Sequence, residues 1–259
     1  WARQHIAGVS PQVEAELLAM SPRQMDRRLA DKRRRLKRRI YGRTKPGTLL
    51  KHQIPVKTDN WDVHEPGYCE IDLVSHSGPH AAGEFIYSFN LTDIFTGWGE
   101  NFGLMGKGEQ GVVDALDEIR RALPFPLQAI DSDNGSEFIN AHLLAFCRQE
   151  QITFTRSRPY KKNDTCYVEQ KNWSVVRRCV GYARFDTPEA LALLNELYPL
   201  VSLHTNFFLP SLKLKEKVRD GARVTRRYHA PQTPYRRLLE SPDLTPAHKK
   251  RLTALYETL

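Results

Sequence analysis

Between residues 68 and 203 the spacing of apolar positions switches repeatedly between two and three-to-four, and each switch predicts an element. Residues 68–74 alternate and favour a strand, and 85–91 and 96–104 predict two more, with Asp93 and Gly97 in the turn between them. Over residues 108–123, Val112, Val113, Leu116, Ile119 and Leu123 fall on one helical face, and Pro124 and Pro126 end it. A short strand follows at 127–130. A helix at 136–149 turns Phe138, Leu143, Leu144 and Cys147 inward. A fifth strand covers 152–155, and helices cover 163–182 and 188–203.

The flanks have a different pattern. Ser10-Pro11 opens a helix carrying Val13, Leu17, Leu18 and Met20, and Ser21-Pro22 starts another with Met25, Leu29 and Leu36. Two short helices around a Ser-Pro break predict a helix-turn-helix-like segment over residues 1–45. Residues 46–66 form a linker marked by Pro46, Gly47, Pro55 and Pro66. The α/β domain spans 67–208. A basic extension fills 209–259, ending in short helices that start at Thr233-Pro234 and Thr245-Pro246.

Charge adds a partner. Thirty-nine Lys and Arg against 30 Asp and Glu leave +9, a balance that points to a polyanion such as nucleic acid. The cations cluster. Arg33, Arg34, Arg35, Arg38 and Arg39 crowd the second helix, and Arg156, Arg158, Lys161, Lys162 and Lys171 gather near the fifth strand and the helix after it. Four cysteines without a C-x-x-C pair exclude a zinc knuckle and a disulfide framework, as expected of an intracellular, reduced protein. No apolar run is long enough to span a bilayer.

Three acids stand out by position. Asp72 lies among apolar neighbours in mid-strand, where an ionised carboxylate is costly unless something neutralises it. Asp133 follows a strand and precedes Asn134-Gly135 and a helix, which puts it at the rim of a sheet. Glu169 is helical, and thirty-five residues separate it from Asp133. Asp131 competes with Asp133, and Glu70 with Asp72. Asp93 is expected to be structural, and Asp164 to cap the helix of Glu169. Trp173 is expected in the core, and His76 in a plain loop.

An Asp-Asn-Gly after the fourth strand, the thirty-five-residue gap and the helical Glu together resemble the DDE transposase and retroviral integrase superfamily. The segments Ser157–Asp164 and Val168–Asn172 resemble the corresponding part of bacterial insertion-sequence transposases. The resemblance implies a ribonuclease-H-like fold, a mixed five-stranded sheet flanked by helices. It implies two Mg²⁺ ions about 4 Å apart, replaceable by Mn²⁺, with Asp72 bridging both, Asp133 holding one and Glu169 the other. It further implies cutting at element ends, 3′-OH strand transfer into target DNA, double-stranded DNA as partner and a homo-oligomer on DNA, in a bacterial cytoplasm. Asn172, one helical turn after Glu169, is expected to touch DNA or to orient a ligand. Two other readings share the fold: a nuclease that cuts without joining, and a DNA-binding protein without chemistry.

Overall fold

The computed structural model describes residues 10–21, 23–25, 27–30, 53–57, 63–158, 164–221 and 223–259. The chain divides into two compact units, 1–42 and 43–259. In the first, α1 (Pro11–Ala19) begins at Ser10, whose hydroxyl accepts from the Val13 amide at 3.3 Å. After a break, residues 23–25 and 27–30 are helical. Ser21 and Gln24 form a reciprocal capping box there: the Gln24 amide donates to Ser21 Oγ at 3.3 Å, and the Ser21 amide to Gln24 Oε1 at 3.1 Å. The break therefore falls where Ser-Pro predicts it. The arginines from 33 to 39 lie outside the described residues.

The second unit is built on a five-stranded sheet. Its strands are β1 (Tyr68–Ser75), β2 (Ile86–Asp93), β3 (Gly99–Met105), β4 (Ala129–Ser132) and β5 (Thr153–Arg156). Their order in space is β3-β2-β1-β4-β5. The first three strands are antiparallel, and β4 and β5 run parallel to β1. Helix α2 (Glu109–Ala122) makes the crossover to β4, and α3 (Ala141–Gln149) the one to β5. This is the ribonuclease-H-like arrangement. Phe89, Leu91, Leu116, Ile130, Phe138 and Leu143 are its central packing residues, all sealed from solvent. Parallel strands so covered bring their C-terminal ends to one edge, where side chains can face solvent without disturbing the core.

The third strand starts three residues later than its sequence pattern suggests. Asp93 accepts from the Thr96 amide (2.7 Å) and hydroxyl (2.6 Å) and from the Gly67 amide (2.8 Å). Gly97 takes φ +77°, a left-handed turn position that suits glycine. Asp93 is thus structural, as expected.

Part of the proline-marked stretch before β1 joins the sheet. Val56 bridges Arg156 in parallel, and the Lys57 amide donates to the Arg156 carbonyl at 2.9 Å. After β5, α4 (Cys166–Lys171) runs on as a π-helical stretch, Asn172–Arg177, and a last turn, Arg178–Val180. Helix α5 (Pro188–Leu203) crosses β3, where Asn195 exchanges hydrogen bonds with Gly103.

The basic C-terminal segment opens with an antiparallel hairpin, β6 (Leu214–Asp220) and β7 (Arg223–Tyr228). Helices α6 (Pro234–Glu240) and α7 (Pro246–Thr258) follow, capped by the Thr233 and Thr245 hydroxyls. They place Tyr235, Leu238 and Leu252 in the same core as the sheet, with Tyr235 and Tyr256 stacked beside Phe207. No helix among the described residues is long and apolar enough to cross a membrane.

Candidate active site

The acids at the C-terminal edge of the sheet fall into two rungs. The inner rung is Glu70 opposite Asp131, paired across β1 and β4. Both are sealed from solvent. The Lys57 ammonium stands 3.8 Å from Glu70 and 3.6 Å from Asp131, and Thr155 donates its hydroxyl to Asp131 at 2.6 Å. Glu70 Oε2 accepts from the Tyr167 and Val168 amides at 2.8 and 3.0 Å, so a carboxylate on β1 caps the N-terminus of α4. Burial still pushes Glu70 up to about 7, against these amides and Lys57.

This cap replaces the expected one. Asp164 instead turns back to Arg158, accepting from its backbone amide (3.0 Å), Nε (2.9 Å) and terminal nitrogen (2.8 Å). A two-pronged guanidinium is a stronger partner for a carboxylate than helix amides that another acid already satisfies.

The outer rung lies two residues further along the chain, Asp72 on β1 and Asp133 the first residue beyond β4. Asp72 accepts from the Leu73 amide at 2.8 Å and from the Asn172 side-chain amide at 2.6 Å. Asn172 in turn accepts from Asn90 at 2.8 Å, so β2, α4 and β1 are tied through one amide chain. Asp133 accepts from the Gly135 amide at 2.8 Å. A Cβ at Gly135 would stand 2.7 Å from Glu137 Cδ and 2.9 Å from Asp133 Oδ1. This close approach is what the Asp-Asn-Gly turn requires. Glu169 is exposed on α4, held by Thr165 Oγ1 at 3.1 Å.

Asp72 and Asp133 both feel neighbouring carboxylates. Burial and then the charge of Asp133 push Asp72 up to about 7, with Glu169 adding to the shift. Asp133 is raised by burial, with Glu137 and Glu169 adding to it. Among the described residues no cation stands within ion-pair distance of Asp72, Asp133 or Glu169, and Lys107 pairs with Glu137 at 3.7 Å. No group of three or more His, Cys, Asp or Glu side chains among them is drawn together tightly enough to hold one ion. The donor set itself, carboxylate oxygens alone, suits a hard divalent ion.

Of the other sequence-predicted residues, Asn172 holds Asp72, as one of its two expected roles requires. Arg156 donates to the Ile54 carbonyl (3.1 Å) and to Asn134 (3.0 Å), and Arg158 to Asp164. Lys171 is half-buried on α4, lowered to about 8 by burial and by Arg237. Lys161 and Lys162 lie outside the described residues. Trp173 is 60% exposed rather than in the core. The π-helical stretch begins at Asn172, so spacing counted at 3.6 residues per turn fails there. His76 lies in the loop just after β1, as expected. It is buried behind β1, bonded to Ser88 Oγ at 2.6 Å, and lowered to about 4 by burial and Arg177. Sequence reasoning missed Lys57 as a partner and Asn90 altogether. Neither lies in a motif, and only the register of β1 with its neighbours brings them in.

A mixed sheet of this order is the ribonuclease-H-like fold, and carboxylates line its parallel edge. Residues 62–162 match the family model of the integrase core domain, so this part of the chain carries an integrase core domain. The match includes Asp72 and Asp133 and stops short of Glu169. The chain is 42% identical over 230 residues to "Uncharacterized protein y4rM" of Sinorhizobium fredii (strain NBRC 101917 / NGR234). The alignment covers 88% of this chain, which spans 66% of that relative's length. Among solved structures it is similar to the simian T-cell lymphotropic virus intasome in complex with PP2A regulatory subunit B56 gamma (14% identity, TM-score 0.46, 79% of this chain and 60% of that one). It is also similar to the catalytic core domain of BIV integrase (17%, 0.46, 71% and 98%).

Proposed function

We propose that the chain is a DNA transposase or integrase that cuts element ends and joins their 3′-OH groups to target DNA, with Asp72, Asp133 and Glu169 as its catalytic carboxylates. The observation that carries this reading is the contrast between the rungs. The inner pair has its own lysine within 4 Å, whereas among the described residues no cation stands within ion-pair distance of Asp72, Asp133 or Glu169. Asp72, Asp133 and Glu169 would hold two divalent ions, Mg²⁺ or Mn²⁺. When bound, these supply an activated oxygen nucleophile and charge stabilisation on the leaving oxygen.

The chain's own groups do the positioning. Asn172 orients Asp72 through a 2.6 Å hydrogen bond, and Thr165 orients Glu169. Gly135 lets the turn close on Asp133. A hard oxygen set at a solvent-facing sheet edge admits a phosphodiester while the core behind it excludes water. Double-stranded DNA is the partner, element end and target alike, and pairing two ends calls for a homo-oligomer. The basic residues Lys161, Lys162 and Lys171 flank α4, and Arg33 to Arg39 add a further phosphate-binding segment.

The test is strand transfer of a labelled oligonucleotide, carrying the terminal sequence that flanks the gene, into plasmid with Mg²⁺ or Mn²⁺. Joined product that disappears with Glu169→Gln is expected. Cutting without joining would replace this reading with a nuclease, and DNA binding without chemistry would replace it with a non-enzymatic role.

A further inference from the structure

The β6–β7 hairpin is a two-stranded ribbon standing apart from the main sheet. Leu214, Lys215, Glu216, Lys217, Val218 and Arg219 on β6, and Thr225, Arg226, Arg227 and Tyr228 on β7, are all exposed. A free hairpin is marginal in water, so one that buries neither face needs another source of order. Its base supplies it. The Ser211 and Gln232 backbones exchange hydrogen bonds at 2.9 and 3.3 Å, and the His229 amide donates to the Lys213 carbonyl at 2.9 Å. Lys213 donates to the Phe95 carbonyl. Arg237, itself buried, donates to the Thr96 carbonyl at 2.8 Å and to Ser211 Oγ at 3.0 Å. The ribbon is thus anchored to the β2–β3 turn of the sheet that carries the candidate site.

Its two faces differ in charge. Cross-strand register pairs Lys217 with Arg226 and Arg219 with Val224, so these four share a face. Its described side chains carry three cations and no acid. On the opposite face Glu216 pairs with Arg227 at 3.4 Å, beside Val218 and Thr225. Three cations close together on a narrow ribbon repel one another unless a polyanion lies against them. A two-stranded ribbon is also slim enough to enter the major groove of a duplex.

We propose that the Lys217–Arg219–Arg226 face docks on the phosphate backbone of double-stranded DNA, independently of the chemistry at the sheet edge. The inference rests on the proposed function only in taking DNA as the partner. Its test measures binding alone. The full chain and a Lys217→Ala/Arg219→Ala/Arg226→Ala variant are titrated by fluorescence anisotropy with a labelled random-sequence duplex across a series of salt concentrations. A control, Arg227→Ala/Arg236→Ala/Lys250→Ala, removes three exposed cations that lie off this face, Arg227 on the ribbon's opposite face and the other two on the helices that follow.

The ribbon variant should lower the slope of log affinity against log salt by about one per cation, about three in all. The control should lower it by less than one, and thermal unfolding of both should match the parent. Equal slopes in the two variants, or a parent that does not bind duplex, would overturn the proposal. A ribbon variant that changes the oligomeric state with DNA affinity intact would overturn it in favour of a second copy as occupant. Strand transfer that fails in every form while the ribbon slope still falls would remove the proposed chemistry and leave the ribbon standing.

Discussion

Glu70 and Asp72 sit two residues apart on one strand, opposite or beside Asp131 on the next and Asp133 just past its end, yet the two rungs are handled in opposite ways. The inner rung is closed: a buried lysine, a threonine hydroxyl and two helix amides take up its charge. The outer rung has hydrogen-bond donors and no close cation among the described residues. Carboxylates two residues apart thus differ in what neutralises them, and the inner pair serves as scaffold. The fold uses the first pair to hold the helix that presents Glu169 beside the second.

The comparison is broken most severely by Lys57→Met, which strips the inner rung of its cation. Removing one partner of a buried ion pair costs about 3–5 kcal/mol, to be read from urea unfolding at pH 7. Adding Glu70→Gln should recover part of that loss, because the amide oxygen can still accept from α4 while one buried charge disappears. Recovery of nothing would mean that Lys57 acts by packing alone.

Asp72→Asn breaks the outer rung instead. Strand transfer should fall by more than about 100-fold, beyond the 10–100-fold typical of residues that only support a metal ligand, with the fold intact by circular dichroism. A variant that unfolds would place Asp72 with the inner rung. Asn172→Ala, which removes only the support of Asp72, should cost about 10–100-fold in strand transfer with little change in stability. Rescue by Asn172→Gln would sharpen the assignment of its role to that hydrogen bond.

The smallest effect concerns Glu100, a carboxylate whose partners are the Ser202 and Trp98 side chains. Trp98 Nε1 donates to it at 2.7 Å, and burial pushes it up to about 7. The folded-state value lies above the unfolded one, near 4.3, so the native state holds the extra proton. Its contribution to stability is full below about pH 4 and is lost as pH rises through about 7. Glu100→Gln should remove that part of the pH dependence and add about 1–2 kcal/mol at pH 8. Unfolding curves from pH 4 to 8 would show it, and an unchanged slope would refute it.

Much of this was legible in the sequence. The strand and helix order followed from periodicity, and so did the places of the candidate acids: Asp72 on β1, Asp133 just after β4 and Glu169 on α4. The inner rung was not legible, because Lys57 lies in a proline-marked stretch without periodicity and reaches Glu70 and Asp131 only through pairing with β5. The β6–β7 ribbon escaped for a related reason. Strand reading depends on one buried face, and Lys215-Glu216-Lys217-Val218-Arg219 has none. Asp164 misled because a preferred capping residue had an arginine six positions earlier that bound it more strongly.

The participation of residues 54–57 in the sheet edge bears on where this domain can be cut. The homology signature opens at residue 62, and a recombinant fragment started there would fold around two buried carboxylates with no counter-ion. A fragment that keeps the Lys57 counter-ion has to begin upstream of Ile54, so the electrostatic boundary precedes the one the family match marks.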